Sequence, residues 1–200
     1  MKTAANQLIE LDSRFLQLQV EFGNPVLKKE SNYFASLVRS IVYQQLSAKA
    51  ASKIYSRFLN LYNLHDHPSP KDILSTEFVV LHSTGLSKQK INYIFNLSEY
   101  SLKNQISKII QLDNQKISQH LTQIKGIGQW TVDMFLIFTL NRLDVFPLGD
   151  LGVKKGLMKF EGLKKLPNEQ EMYEMSLKWS PYRSIAAWYL WIIIEGPFEW

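Results

Sequence analysis

Two short stretches carry residues whose type and spacing could do chemistry. In LTQIKGIGQWTVDMF, Gly126 and Gly128 flank Ile127 between two amphipathic segments. Paired glycines around one apolar residue make a tight hairpin, whose backbone N–H groups and following helix N-terminus can face an anion such as a phosphate. An ordinary αα-hairpin closed by a glycine cap fits the same residues. The second stretch is PLGDLG, where Asp150 stands at the start of a following helix. Nearby N–H groups and the helix dipole favour an anion there, and a plain N-cap is a reading compatible with a catalytic one. A third group is weaker. His65 and His67 flank an aspartate in HDHP, but His82 and His120 are remote in sequence. No metal-site spacing results, and no metal catalysis is expected.

The elements that must position these residues are helices. Phe34, Leu37, Val38, Ile41 and Val42 are spaced as one apolar face, and strand alternation is nearly absent. One helix is expected from about Thr3 to Phe22, stopped by Gly23 and Pro25, and the helix through Val42 is expected to end near Leu46. Ser47, Ser87 and Asp113 read as N-caps, and Ser69 with Asp72 and Asn168 with Glu171 read as capping boxes. After Gly128 an apolar helix is expected from Gln129 to about Leu140, then a break, then a basic helix from Leu151. The last helix is expected to open at Ser180 and Pro181 and to stop at Glu195 before Gly196. About ten helices make the expected fold class all-α.

Composition narrows the function classes. Of 200 residues, 46% are hydrophobic and 20% charged, with 9 Gly and 7 Pro, which excludes disordered and collagen-like chains. There is no Cys, which removes a disulfide scaffold, a thiol nucleophile and a cysteine-held iron–sulfur cluster, and suits a reducing compartment. The longest apolar run, Ala186 to Ile194, is half what a bilayer needs, and the N-terminus lacks a signal-peptide core, so a cytoplasmic protein without membrane attachment is expected. The net charge is +5, with Lys154, Lys155, Lys159, Lys164 and Lys165 crowded together. That cluster suits a polyanionic partner or a merely solvated face.

Several motifs in the same order are more specific than any one of them. FASLVRSIVYQQLSAKAA, TGLSKQK, LTQIKGIGQWTVDMFLIF, VFPLGDLGVKKG and WSPYRSIAAWYLW together resemble the helix-hairpin-helix (HhH-GPD) DNA glycosylases, specifically the alkylpurine, or 3-methyladenine, DNA glycosylase II branch. The resemblance covers most of the chain. It implies a bilobal helical bundle with the active site in the cleft between the lobes. One lobe would span residues 33–137, and the other 1–32 plus 138–200, without the extra N-terminal β domain of some larger relatives.

The resemblance further implies that Asp150 is the catalytic aspartate, stabilising the oxocarbenium character that develops on deoxyribose and orienting the attacking water. Trp130 and Trp191 match base-pocket aromatics, suited to the cationic ring of an alkylated purine. Trp130 also stands where bifunctional relatives carry a Schiff-base lysine, so a monofunctional enzyme is expected. Base extrusion needs a side chain to fill the gap, for which Gln45 is the first choice and Leu46 the second. DNA contacts are implied at Gln45, Leu46, Lys125, Gly126, Ile127, Gly128 and Thr131, and Arg183, Ser184 and the lysines after Asp150 are candidates for phosphates. Some hairpins of this kind hold a monovalent cation, and no other cofactor is implied. The expected partner is double-stranded DNA containing damaged bases, met by a monomer. The competing readings are a non-catalytic helix-hairpin-helix DNA-binding module and a glycosylase for other damaged bases.

Overall fold

The computed structural model describes residues 3–26, 30–62 and 67–196, and every regular element among them is helical. The chain divides into two compact units, one of Glu30–Phe135 and one of Met1–Lys29 with Leu136–Trp200.

The second of these units opens with α1 (Ala4–Leu11) and α2 (Phe15–Phe22), where periodicity alone suggests one unbroken helix. The break is made by Asp12. Its backbone is extended, its N–H still closes α1 on the Leu8 carbonyl, and its carboxylate accepts the Arg14 guanidinium at 2.7 Å and the Trp179 indole N–H at 3.0 Å. Arg14 continues to Glu161, which also pairs with Lys178. Partners about 150 residues away thus decide a local boundary that helix propensity does not mark. Phe15, fully buried, then stacks on Phe160 at 4.6 Å and meets the edge of Trp179 at 5.3 Å.

In the unit of Glu30–Phe135, α3 (Tyr33–Tyr43) buries Leu37, Val38, Ile41 and Val42 and packs against α4 (Ala48–Asn60). The chain then runs through α5 (Pro70–Ser75), α6 (Phe78–Ser83), α7 (Lys88–Lys103), α8 (Ile106–Ile109), α9 (Asn114–Leu121) and α10 (Gln129–Met134). The caps expected at Ser47, Ser69, Ser87 and Asp113 all form. α7 packs on both α3 and α5, and α10 on both α3 and α9.

The apolar helix after Gly128 does not stay regular to Leu140. It becomes a π-helix over Phe135–Thr139 and is closed by Asn141 in the left-handed region, at φ 53°. Residues 131–137 are all buried, so packing on every side rather than one amphipathic stripe sets the register of this segment. Then α11 (Leu151–Glu161), α12 (Glu169–Ser176) and α13 (Arg183–Glu195) complete the unit that α1 and α2 opened. α13 opens at Arg183 rather than at Ser180, because the Ser180 hydroxyl donates to Asp144 at 2.9 Å instead of capping the helix.

α11 and α13 approach closely at Gly156, where a Cβ would lie 2.1 Å from the Leu190 carbonyl oxygen. Among the described residues no helix is long and apolar enough to cross a membrane.

Candidate functional site

Asp150 is delivered by the loop between the π-helix and α11. That loop is stitched down by Ser184, whose hydroxyl donates to the Arg142 carbonyl at 2.6 Å and accepts from the Val145 N–H at 3.0 Å. Arg183 grips Asp144 with two bonds, at 2.6 and 3.0 Å. Burial works against ionisation of Asp144, but the hydrogen bonds from Arg183 and Ser180 prevail and lower its pKa. Ser184 is buried and Arg183 is paired with Asp144, so both serve the loop.

Asp150 is the N-cap of α11, accepting the Val153 N–H on Oδ1 at 2.8 Å. The same oxygen accepts the Trp191 indole N–H at 2.7 Å. Both side chains are nearly closed off, Asp150 at 9% exposure and Trp191 at 6%. Phe138 lies against Trp191 with ring centroids 5.5 Å apart. The contact depends on Gly152, because a Cβ there would come 2.8 Å from Trp191 Cδ1 and 3.1 Å from Asp150 Oδ1. One turn beyond Trp191, Glu195 has its pKa raised by burial and by the Asp150 charge, against the opposing pull of Lys155. Lys155 and Lys159 are exposed, and Lys154 is half-buried. The arrangement can hold an acceptor oxygen in one orientation within an aromatic wall.

The glycine hairpin belongs to the other unit. Gly126 sits at φ 108°, a region costly for any residue with a Cβ, and a Cβ there would meet the Tyr93 ring at 2.1 Å. Ile127 turns inward, 3% exposed, with its N–H on the Ile124 carbonyl. Lys125 and Gly128 are exposed, and Gly128 serves as the N-cap of α10. Trp130, the second residue of α10, is half-buried, whereas Thr131 is buried and its hydroxyl accepts from Gln44 Nε2 at 3.0 Å. Gln44 Nε2 also donates to the Gly126 carbonyl at 2.9 Å. The hairpin is therefore tied directly to the turn carrying Gln45 and Leu46. Both of those side chains are exposed, and Gln45 adopts φ 55°.

Sequence reasoning missed Gln44, Lys90, Phe138 and Gly152 as members of these two places. The second glycine of GDLG was the readable signal for Gly152; the others touch their partners only through tertiary packing. His67 shares a hydrogen bond with Tyr55, and His65 lies outside the described residues. Among the described residues no group of three or more His, Asp or Glu could hold a metal ion.

The profile of the HhH-GPD superfamily base excision DNA repair proteins matches residues 38–181, nearly three-quarters of the sequence and all of the hairpin and the Asp150 turn. The chain belongs to the HhH-GPD superfamily of base excision DNA repair proteins. It is 37% identical over 171 residues to DNA-3-methyladenine glycosylase 1 of Schizosaccharomyces pombe, covering 84% of this chain and 75% of that protein. It is 34% identical to the alkylbase DNA glycosidase-like protein of the same organism, over 96% of this chain and 93% of the relative. Among solved structures it is similar to the S. pombe 3-methyladenine DNA glycosylase in complex with abasic DNA, with TM-score 0.89 and 33% identity over 99% of this chain and 100% of the other. A Bacillus halodurans DNA-3-methyladenine glycosidase superposes with TM-score 0.77 and 35% identity, over 95% and 88% of the two chains.

Proposed function

We propose that this chain is a monofunctional DNA N-glycosylase of base excision repair, which flips alkylated purines of the 3-methyladenine and 7-methylguanine type and hydrolyses the bond to deoxyribose. The observation that carries this reading is the Asp150 carboxylate, oriented by the Val153 N–H and the Trp191 indole in a nearly closed aromatic setting. In the reaction the C1′–N bond breaks, its electron pair leaves with the base, and the alkylated ring becomes neutral. Positive charge passes to C1′ and O4′ of the sugar. Asp150 stabilises that charge and orients a water, whose oxygen bonds to C1′ as its proton passes by way of the carboxylate to solvent, leaving an abasic site. Because the departing base already carries a charge, no strong general acid is needed. Trp130 and Trp191 serve as electron-rich faces for that cation, and the tryptophan at position 130 offers no amine for a Schiff base.

Lys125, Gly126, Ile127, Gly128 and Thr131 belong to the proposed phosphate-holding hairpin, with Ile127 and Thr131 acting from inside it. Gln45, and secondly Leu46, fills the gap left by the flipped base. This assigns DNA holding to residues 33–137 and the catalytic aspartate to residues 1–32 with 138–200, in a monomer. A monovalent cation would meet backbone carbonyls at this hairpin. The carbonyls beside the glycines accept from side-chain amides, Lys125 from Asn96 at 3.0 Å and Gly126 from Gln44 at 2.9 Å. With no cysteine, the chain has no ligands for a cysteine-held iron–sulfur cluster. A reducing, cytoplasmic setting beside the genome belongs to the same proposal.

The experiment is release of free base from duplexes carrying single 3-methyladenine, 7-methylguanine, ethenoadenine or hypoxanthine lesions, by wild type and by Asp150→Asn. Release of the first two by wild type alone is the expected result. Release confined to the last two would reassign the lesion class. No release from any of them, with DNA binding retained, would leave only a binding module.

A further inference from the structure

We infer that Lys90 is a positioning residue that sets the Gln45 turn against the glycine hairpin, using one face of α7 as a common brace. The inference rests on the reading of Gln45 as the gap-filling side chain.

The turn after α3 has a problem to solve. Gln45 holds a left-handed conformation, φ 55°, that a residue with a Cβ adopts only at a cost, and its side chain is exposed to solvent. Such a conformation persists where its surroundings over-determine it. Here the surroundings do. The Lys90 ammonium donates to the Val42 carbonyl at 2.7 Å and to the Gln44 carbonyl at 2.7 Å, closing over the end of α3 where carbonyls lack helical partners. Lys90 is half-buried, and burial lowers its pKa. A cation withdrawn from water to hold two neutral carbonyl oxygens adds little to stability by itself.

The remaining residues on that face of α7 grip the hairpin. Three positions after Lys90, the Tyr93 ring occupies the space beside Gly126, and three further on, Asn96 donates to the Lys125 carbonyl. On a helix i neighbours i+3 and i+3 neighbours i+6, so the three side chains cover one contiguous arc of about a third of the α7 circumference. Gln44 closes the loop from the other side by donating to Gly126 and Thr131. Turn and hairpin are thus fixed to one helix and to each other. The part that clamps the strand and the part that enters the stack are held at one separation before DNA arrives, which lowers the ordering cost of base extrusion.

The test measures single-turnover base release at saturating enzyme from two duplexes: one with the alkylated purine fully paired, and one with it opposite an abasic position, where the gap-filling side chain has less to displace. Lys90→Met keeps the length and loses the ammonium. Its rate on the paired duplex should fall at least tenfold, its rate on the gapped duplex less than threefold, and Lys90→Arg should recover most of the loss. A merely structural lysine would lower both rates together. Gln45→Gly provides the reference. If it selectively slows the paired duplex while Lys90→Met leaves the ratio of the two rates unchanged, the brace is overturned and the gap-filling role survives. If Gln45→Gly changes neither rate, the gap-filling role fails and the brace falls with it. Should Lys90→Met not fold, Gln44→Glu carries the same expectation, because it turns an amide donor into an acceptor facing the Gly126 carbonyl; an unchanged ratio in that variant overturns the inference equally.

Discussion

Asp150, the proposed catalytic group, and Gln45, the proposed gap-filling group, are held still in opposite ways. Asp150 is buried and its own carboxylate is bonded, by a peptide N–H and an indole N–H on one oxygen. Gln45 is exposed, and only the backbone on which it stands is gripped, through Lys90 and Gln44. The difference suits what each would meet in its proposed role. A charge that acts on a reacting centre gains from fixed donors in a dry setting, whereas a group that enters a base stack must leave its tip uncommitted. On the proposed roles, the reacting group is preorganised by direct bonds and the group that enters the stack by bonds one residue removed.

The sharpest way to break the comparison is to remove the charge. Asp150→Asn keeps the shape of the site, and its base release should fall at least about a hundredfold, in line with the loss of one transition-state-stabilising group. Comparable rates for variant and wild type would move the chemistry elsewhere. Trp191→Phe leaves the carboxylate but deletes one donor. A hydrogen bond to a charged group contributes about 1.5–3 kcal/mol, so roughly a tenfold loss or somewhat more is expected, with unchanged duplex affinity measured by anisotropy.

On the other side of the comparison, Gly126→Ala puts a Cβ at φ 108° and against the Tyr93 ring. The left-handed backbone should cost about 1–2 kcal/mol in a denaturant melt, and duplex affinity should drop while release at saturating enzyme changes little. An opposite split, rate lost and affinity kept, would mean the hairpin does more than hold. Gln45→Gly relieves backbone strain and should raise stability by up to ~1 kcal/mol even as paired-duplex activity falls, a divergence read by pairing thermal melts with kinetics.

The smallest effect lies away from both sites. Hydrogen bonding from Arg14 holds the Asp12 carboxyl at a pKa of about 2, against 3.8 ordinarily. A depressed carboxyl contributes stability above its unfolded pKa and loses it as pH falls through the folded value. The contribution of this pair should therefore be complete at neutral pH, decline from about pH 4 downward and be gone near pH 2. Asp12→Asn should flatten that part of an acid-unfolding curve, and since Arg14 is 45% exposed the effect should shrink in high salt.

Much of this molecule was legible beforehand because it is written locally. Caps at Ser47, Ser87 and Asp113, both capping boxes, and the stop at Gly196 depend on neighbours within four residues, and the structure forms each of them. Asp150 at the head of α11 is of this kind as well. The features that escaped depend on residues far apart in sequence. The break at Asp12 answers to Trp179 and, through Arg14, to Glu161; the π-helix answers to burial on every side; and the start of α13 answers to Asp144. Trp191 reaches Asp150 across 41 positions, Gln44 reaches Gly126 across 82 and Lys90 reaches Gln44 across 46. By itself the amino-acid order determined which segments become helices, where glycine permits a tight hairpin and where an aspartate caps a helix, because helix periodicity and capping are nearest-neighbour physics. Only the tertiary structure decided which donor orients that aspartate and which lysine steadies the Gln45 turn, because a hydrogen bond between distant residues exists only once packing has brought them within 3 Å.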